Sequence, residues 1–387
     1  MKTRWRNDAV APASMNPPEE VVPPGLEGLE ADVWRALSQV IDPEIRKPIT
    51  SLDMVNEITV TDAGAATVGV KLTIVGCPAS RKIESDVAAA VAAVPGITEV
   101  AVDIAVMSRT ERTALTEKLH GAKRSTQFGP DSPTAIYAIT SGKGGVGKST
   151  ITANLAVALA EKGLAVGILD ADVFGFSIPG ILGLVTDGVA AKPTRVGDMI
   201  LPPISYEVKV ISIGMFLGPS TGSGTGGAVA WRGPMLHRTI SQFLTDVYFG
   251  ELDILLLDLP PGTGDIAISV GQLLPHAKVI VVTTPQPAAA DVAERSGIVA
   301  RQTGQSVLGV VENMAGLVQP DGSVLDLFGS GGGAAAAERL GVPVLASVPL
   351  SVALRVGGDA GAPVVLTHPD DPASVAIREL ADRLARR

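Results

Sequence analysis

The sequence predicts an α/β protein, with a parallel sheet covered by helices on both faces and a small α+β domain in front of it. From Thr134 onward, apolar runs of strand type alternate with helical stretches, which is typical of a parallel sheet. A glycine-rich segment follows the first of these runs and opens a helix. Residues 26–108 show the order α-β-β-α-β. These three observations carry the prediction.

The composition limits the class of protein. A chain of 387 residues is long enough for two or three domains of about 150 residues each. The net charge of −9 argues against a nucleic-acid partner, because such proteins bind phosphates through Lys and Arg. No apolar run reaches the roughly 18 residues of a membrane-spanning helix, and the single cysteine, Cys77, excludes an intrachain disulfide framework. We therefore expect a cytoplasmic protein without a membrane partner.

The elements follow in order along the chain. Residues 1–25 contain many prolines and no periodicity, which predicts a flexible leader. In residues 26–108, a first helix precedes the strands "MVNEITV" and "AATVGVKLTIV", the helix "SRKIESDVAAAVAAV" and the strand "ITEVAVDIAVM". Residues 109–133 are polar and rich in turn formers, which predicts a linker. Residues 134–387 make up the larger domain.

The strongest signal in the larger domain is "GKGGVGKST", which satisfies G-x-x-x-x-G-K-[ST] between a strand and a helix. Such a P-loop turns its backbone N–H groups toward phosphates, and the helix N-terminus adds partial positive charge. We expect Lys148 to reach the β- and γ-phosphates of ATP and the Ser149 hydroxyl to ligate Mg²⁺. The predicted nucleotide ligands in this loop are Gly142, Lys143, Gly144, Gly145, Val146, Gly147, Lys148, Ser149 and Thr150.

Carboxylates follow two apolar strands of the larger domain. Asp170 and Asp172 come at the end of "AVGILDAD", and Asp258 ends "LDILLLD". Ligands of open α/β sheets bind at the carboxyl ends of the strands, whereas a single aspartate there is often only a helix cap. With the phosphate loop in the same sheet, we assign Asp172 to the attacking water, Asp170 to its support and Asp258 to Mg²⁺. Lys143, Lys148, Asp170 and Asp172 are the predicted catalytic residues.

Two family resemblances follow from these motifs. "KGGVGKST" resembles the deviant loop of the MinD and ParA class of dimerising ATPases, and this resemblance implies a homodimer in which Lys143 reaches the partner's nucleotide. "LDADVFGFSIPGILG", "WRGPMLH", "LLLDLPPGTGD", "VVTTPQ" and "GVVENM" also occur in the order found in Mrp-type ATPases, the iron–sulfur cluster carriers. That second resemblance covers residues 134–365. It implies that Asn313 lies against the adenine and that Pro285 and Gln286 border the nucleotide pocket.

The front domain supports the same resemblance. "DPEIRKPITSLDMV" and "GCPAS" look like the small domain often fused to these carriers and also found alone in iron–sulfur assembly factors. The family implies ATP binding, slow hydrolysis and delivery of clusters to apoproteins, with other assembly factors as partners. Asp42 and Glu44 belong to the matching motif, although turn and cap chemistry also explains them and is the favoured interpretation.

One departure from the family pattern concerns its metal-binding loop. Many relatives carry a Cys-Pro-x-Cys after "ENM", but this chain has Gln319, Pro320, Asp321 and Gly322 there. Iron–sulfur clusters are held by cysteine thiolates, so the usual cluster between protomers cannot form on this loop. Cys77 remains: it is either an inert buried cysteine or a ligand that, from both subunits of a dimer, shares a labile [4Fe–4S] or [2Fe–2S] cluster with outside ligands.

The departure leaves alternatives open. The chain could be a nucleotide-switched adaptor that binds clients but carries no cluster, with Cys77 structural. It could also be a positioning ATPase of the MinD or ParA kind that binds and releases a surface. The C-terminal "SVAIRELADRLARR" has a narrow apolar face and acidic residues, so we expect it to dock on its own domain rather than on a membrane.

Overall fold

The structure is a computed structural model that describes residues 22–74, 79–120, 127–173, 175–216, 233–319 and 321–386. The chain divides into two compact units, Met1–Leu115 and Thr116–Arg387, and each is described by itself below. The division falls inside the predicted linker, residues 109–133. Within the described ranges, no helix has the length and apolar character needed to cross a membrane.

The first unit is a small α+β domain built on a three-stranded sheet. Its elements begin with α1 (Gly28–Leu37), β1 (Val55–Val60), β2 (Ala65–Leu72), α2 (Ser80–Ala92) and β3 (Glu99–Val106). β2 is the central strand, antiparallel to β1 and parallel to β3. The predicted order α-β-β-α-β is confirmed.

The core of this unit follows from the spacing of its apolar residues. On α2, Ile83, Val87 and Val91 recur every four residues, so they share one helical face, and all three are buried. Val33 and Leu37 of α1 have the same spacing and are also buried. The two helices contact each other, and α2 also contacts β3. The helices therefore cover the sheet with these faces.

The first part of the predicted linker is a helix, α3 (Arg109–His120). Its N-terminus is closed by a reciprocal pair, in which the Ser108 N–H donates to Glu111 Oε2 (2.7 Å) and the Glu111 N–H donates to the Ser108 hydroxyl (3.3 Å). Such a capping box satisfies N–H groups that the first turn of a helix leaves unpaired. The S-x-x-E spacing of "SRTE" is the sequence signal that the linker prediction overlooked.

The second unit is the larger α/β domain. Its remaining elements are, in order, β4 (Ala135–Ser141), α4 (Lys148–Ala160), β5 (Val166–Asp170), α5 (Ile178–Ile181), β6 (Val185–Thr186), β7 (Val189–Ala190), β8 (Thr194–Val196), β9 (Met199–Leu201), β10 (Ile204–Ser205), β11 (Val208–Ser212), α6 (Gly233–Asp246), β12 (Ile254–Asp258), α7 (Asp265–Leu273), β13 (Lys278–Thr283), α8 (Pro287–Gln302), β14 (Ser306–Val318), β15 (Val324–Leu325), α9 (Gly332–Leu340), β16 (Val344–Leu350), α10 (Val352–Ala360), α11 (Val364–Thr367) and α12 (Pro372–Ala385).

Nine of these strands form one sheet in the order β10-β11-β5-β12-β4-β13-β14-β15, with β16 also paired to β14. β11, β5, β12, β4, β13, β14 and β16 run parallel, whereas the short β10 and β15 are antiparallel additions. The parallel strands are the apolar runs read from the sequence, so the predicted parallel sheet is confirmed. The short hairpins β6–β7 and β8–β9 lie between β5 and β11 in the chain and have no counterpart in the prediction.

Apolar cores lie on both faces of the sheet. All of β12 is buried, with Ile254 and Leu256 in one core and Leu255 and Leu257 in the other. α4 lies in the first core and is buried over most of its length. A strand with both sides covered reads as a continuous apolar run, as β12 does.

The C-terminal helix α12 packs on its own domain. Its apolar face, Ile377, Leu380 and Leu384, is buried against α4 and β16. The Arg378 guanidinium donates to the Val365 carbonyl and pairs with Glu161 (2.7 Å), which fixes the helix further. The prediction that this helix docks on its own domain is confirmed.

Candidate functional site

A loop between β4 and α4 forms the centre of the candidate site. β4 ends at Ser141, and α4 begins at Lys148, so residues 142–147 make the turn. Gly145 and Gly147 have φ angles of 79° and 80°, in the left-handed region that glycine tolerates best. Gly147 directly precedes the helix, whose first N–H groups have no intrahelical partner. The loop therefore presents backbone donors at a helix N-terminus, which suits an anion.

The loop packs closely against α8 and β14. A Cβ atom added to Gly142 would collide with the backbone of Val292 in α8, and one added to Gly147 would collide with Asn313 Nδ2. Gly142 and Gly147 must therefore be glycine because a larger residue would collide with its neighbour. The left-handed backbone conformation of Gly147 also favours glycine. The sequence motif fixes a shape as well as a chemistry.

The loop lines a pocket of about 310 Å³. The pocket is bordered by Ser141, Gly144, Gly145, Val146, Gly147, Lys148, Ser149, Thr150, Asp172, Gly175, Ser177 and Pro261. Most predicted loop ligands are in this set. Ser141, Gly175, Ser177 and Pro261 were not predicted, although Gly175 and Ser177 lie in the "DADVFGFSIPG" motif that also carries Asp172.

Lys148 and Asp258 form a buried ion pair beneath the pocket. The lysine Nζ lies 2.6 Å from Asp258 Oδ2 and 3.9 Å from Asp172 Oδ2. The side chains of Lys148 and Asp258 are 6% and 0% exposed, and an unpaired charge at that depth would be strongly destabilising. Each side chain therefore depends on the other as its partner.

Two hydroxyls complete the surroundings of Asp258. Ser149 Oγ donates to Asp258 Oδ2 (2.5 Å), and Thr152 Oγ1 donates to Asp258 Oδ1 (2.8 Å). Thr152 was not predicted. Its signal is its position four residues after Lys148, which puts both side chains on one face of α4.

Asp170 lies on the strand next to Asp258 and is fully buried. The two residues are opposite each other in the pairing of β5 with β12. Asp170 accepts hydrogen bonds from the Ser212 hydroxyl (2.9 Å) and from the Asp172 N–H (3.1 Å). Burial, and then the nearby Asp258 charge, raise the pKa of the Asp170 carboxyl well above its usual value. Asp170 thus supports Asp172 through its backbone and lies outside the pocket lining.

The donor set fits a divalent cation. One ammonium group, that of Lys148, faces the carboxylates of Asp258 and Asp172, with Asp170 next to them. Mg²⁺ prefers oxygen ligands, and the Ser149 hydroxyl and the Asp258 carboxylate are oxygens held side by side. The residues therefore fit the Mg²⁺ ligation that the sequence predicts.

The other residues predicted to contact nucleotide have hydrogen-bond partners within the chain. Lys143 Nζ donates to Gln286 Oε1 (2.8 Å), a contact within the chain, and the Pro285 carbonyl accepts the Gly332 N–H (3.0 Å). Asn313 Nδ2 donates to the Val146 carbonyl (2.9 Å). None of these four predicted residues, Lys143, Pro285, Gln286 and Asn313, lines the pocket. Their contacts to nucleotide stay predictions.

The loop that departs from the family pattern is a hairpin turn between β14 and β15. The Gly322 N–H donates to the Gln319 carbonyl (2.9 Å), and Gly322 has a φ of 83°. Asp321 is exposed, and it accepts from the Ser323 hydroxyl (2.6 Å) and N–H (2.9 Å). These bonds, that of the hydroxyl first, lower the pKa of the Asp321 carboxyl. The side chain is thus engaged in turn chemistry.

The remaining candidate ligands give no metal centre within the described residues. Cys77 and Pro320 lie outside them. Asp42 is buried and accepts from the N–H groups of Glu44 (2.9 Å) and Ile45 (2.8 Å), which is the geometry of a turn. In the described ranges, no group of three or more His, Cys, Asp and Glu side chains could hold a metal ion.

Two protein families match the sequence, one over each part. The family described as "NUBPL iron-transfer P-loop NTPase" matches residues 132–385. The family described as "Iron-sulfur cluster assembly protein" matches residues 30–104.

Relatives match nearly the whole chain. The iron-sulfur cluster carrier protein of Mycobacterium tuberculosis (strain ATCC 25618 / H37Rv) is 52% identical over 368 residues, which cover 93% of this chain and 94% of that protein. The protein of the same name from Bacillus subtilis (strain 168) is 38% identical over 323 residues, covering 83% and 88%.

Solved structures match part of the chain. A nucleotide-binding protein in complex with ADP from Archaeoglobus fulgidus is 37% identical and has a TM-score of 0.48, covering 61% of this chain and 89% of that one. The septum site-determining protein MinD complexed with Mg-ADP from Pyrococcus horikoshii OT3 is 26% identical and has a TM-score of 0.48, covering 65% and 96%.

Proposed function

This chain belongs to the family of NUBPL-type iron-transfer P-loop NTPases, and on that premise we propose that it binds ATP with Mg²⁺, hydrolyses it slowly and delivers iron–sulfur clusters to apoproteins. The observation that carries the nucleotide part is the pocket at the N-terminus of α4, where loop N–H groups, Lys148 and Asp172 converge. We place this activity in the cytoplasm, in a homodimer that works with other assembly factors.

The loop would hold the phosphates of ATP. Its backbone N–H groups and the N-terminus of α4 offer partial positive charge, and Lys148 adds a full one at the base of the pocket. Ser149 and Asp258 would hold Mg²⁺, which supplies charge neutralisation for the phosphates when bound. The Thr152 hydroxyl donates to the other oxygen of the Asp258 carboxylate, Oδ1, and so keeps the carboxylate in place.

Asp172 would orient the water that attacks the γ-phosphorus. It is the carboxylate among the three that lines the pocket, and the Gly175 N–H (3.1 Å) fixes its other side. The new bond joins the water oxygen to phosphorus, the bond from phosphorus to the β–γ bridging oxygen breaks, and the proton leaves with the released phosphate. Asp170 anchors the Asp172 backbone, which keeps the carboxylate aimed.

The cluster would be carried on the small domain. The hairpin turn at residues 319–322 has no thiolate, and its Asp321 is bonded to Ser323. Cys77 is the one cysteine of the chain, so each dimer has two such thiolates. We propose that they share a labile [4Fe–4S] or [2Fe–2S] cluster with ligands from outside the protein.

A second candidate is a nucleotide-switched adaptor that binds clients and carries no cluster. The observation that favours it is the same hairpin turn, since the family's thiolate pair is missing there. In that case Cys77 would be structural, and the nucleotide site would work in the same way.

The nucleotide part is tested with Asp172→Asn, which keeps the shape of the side chain but lowers its ability to accept from water. We expect ADP affinity to stay within about threefold of the native value while the ATPase rate falls by about 100-fold, the usual size of a positioned base's contribution. An unchanged rate in the variant would remove Asp172 from the reaction. A native chain that binds no ATP or ADP would overturn the proposed nucleotide site itself.

A further inference from the structure

β14 brings a buried amide against the underside of the phosphate loop. Asn313 is 3% exposed, and its Nδ2 atom lies 2.9 Å from the carbonyl oxygen of Val146. A carbonyl oxygen can only accept a hydrogen bond, so the amide nitrogen is the atom that faces it. The contact therefore joins β14 to the loop at one defined peptide group, the one between Val146 and Gly147.

The geometry of that peptide group determines the direction of the Gly147 N–H. A trans peptide is planar, and its C=O and N–H point in opposite directions. The Val146 carbonyl points at Asn313, so the N–H of Gly147 points away from β14, toward the pocket that Gly147 lines. The hydrogen bond to the Val146 carbonyl thus orients the Gly147 N–H, which can donate to a phosphate oxygen.

Gly147 shows how tightly the amide is seated. A Cβ atom at this position would collide with Asn313 Nδ2, and the glycine already has a φ of 80°. Val146 is itself buried. The amide consequently fills the space beneath two successive loop residues.

The strand is shaped to present this side chain. Met314, the next residue, has a φ of 61°, which is uncommon for a residue other than glycine. The pairing of β14 with β16 also shifts register between Asn313 and Leu317. On the other side, the Glu312 carboxylate accepts the Gly333 N–H at the start of α9 (2.7 Å). Asn313 therefore lies between Glu312, which is hydrogen-bonded to α9, and the irregular part of β14 that begins at Met314.

We propose that Asn313 is a positioning residue for the phosphate loop: its amide holds the Val146 carbonyl and so keeps the Gly147 N–H aimed at the phosphates. The inference rests on the proposed nucleotide binding, and it assigns Asn313 to the phosphates rather than to the adenine. Loss of the amide donor lets the peptide group rotate. The affinity for any phosphate chain then falls, whether or not it carries a base.

The test compares a ligand with a base and a ligand without one. Affinities of the full chain for ADP and for inorganic tripolyphosphate are measured by calorimetry, or by displacement of a fluorescent ADP, for the native protein, Asn313→Ala and Asn313→Asp. We expect Asn313→Ala to lose about 5- to 10-fold for both ligands, the usual size of one hydrogen bond. Asn313→Asp should lose more for both, because a carboxylate cannot donate and adds negative charge under the phosphates.

A loss for ADP with none for tripolyphosphate would overturn the proposal and place Asn313 at the base. No loss for either ligand would also overturn it. Asn313→Asp keeps the volume of the side chain, so it provides the comparison if Asn313→Ala does not fold. Glu379→Gln, which replaces an exposed carboxylate of α12 by an amide, is the control and should leave both affinities unchanged. If the native chain binds neither ligand, the proposed nucleotide site fails, independently of Asn313.

Discussion

Lys148 forms a buried ion pair with Asp258, and we propose that it also contacts phosphate. The distance of 2.6 Å to Asp258 and the burial of both side chains make the pair part of the protein's stability. Motif reasoning finds the phosphate task alone. The ion pair depends on Lys148 of α4 lying beside Asp258 of β12, a contact that only the folded structure shows.

Lys148→Ala should therefore impair both binding and folding. Loss of a charged hydrogen-bond donor to phosphate predicts a drop in ADP affinity of about 100-fold or more, measured by calorimetry. Removing one partner of a buried ion pair also predicts a loss of about 3 kcal/mol in the free energy of unfolding, measured by urea titration without nucleotide. Lys162→Ala is the control, because Lys162 pairs with Asp382 at the surface, and it should cost less than about 1 kcal/mol. Equal effects of the two variants on stability would contradict the account.

Gly147→Ala tests the close packing of the loop. The new methyl group would meet Asn313 Nδ2 and would sit in a left-handed conformation, so both nucleotide affinity and stability should fall. Gly163→Ala is a matched control, because Gly163 has the same φ of 80° but nothing within 4 Å of its Cβ position. The control should lose about 1 kcal/mol of stability by denaturant titration and no ADP affinity. If both variants keep native affinity, the contact at Gly147 is unimportant.

Lys143→Ala tests the role that the family resemblance implies for this lysine. Lys143 does not line the pocket and instead donates to Gln286, so the variant should bind ADP with native affinity. The same resemblance predicts a reduced ATPase rate and less ATP-dependent dimer, measured by phosphate release and by light scattering. Normal hydrolysis by Lys143→Ala would exclude a role across the dimer.

At the scale of elements, the strands of the larger domain were predictable because each is a buried apolar run bounded by turn residues. The local cap at α3 was not recognised, although the sequence carries its S-x-x-E signal. The hairpins β6–β7 and β8–β9 were missed because strands of two or three residues have no periodicity to read. In the site, the motif predicted the loop residues and the end of an apolar strand predicted Asp258, whereas the contacts of Thr152 and Asn313 depend on which elements lie side by side.

The capping box of α3 gives a pH prediction. Hydrogen bonds from Lys71 and then from Ser108 lower the pKa of Glu111 to about 2. Because the folded pKa is below the unfolded one, the stabilisation is present above the ordinary value of 4.5 and is lost as the pH falls toward 2. Glu111→Gln should therefore lower the urea midpoint at pH 6, and this difference from the native chain should shrink at pH 3. Glu117→Gln, exposed on the same helix, is the control. A difference that stays constant with pH would contradict the assignment.

At the scale of the whole molecule, the chain combines a P-loop NTPase domain with a small domain of the iron-sulfur cluster assembly family, and the hairpin between β14 and β15 contains no cysteine. The hairpin turn at residues 319–322 is built from turn chemistry, with Gly322 in the left-handed region and Asp321 bonded to Ser323. The sequence alone predicted that no cluster forms there, because thiolates are required. The central claim is our proposal that Cys77 carries the cluster instead.

The most direct test of that claim is the content of iron and acid-labile sulfide after anaerobic reconstitution of the full chain. The native protein, Cys77→Ser and Asp321→Ala are compared, with Asp321→Ala as the control at the hairpin turn. The account predicts a cluster in the native protein and in Asp321→Ala and none in Cys77→Ser. Iron and sulfide retained by Cys77→Ser, or absent from the native protein, would contradict it, and absence from the native protein would favour the nucleotide-switched adaptor.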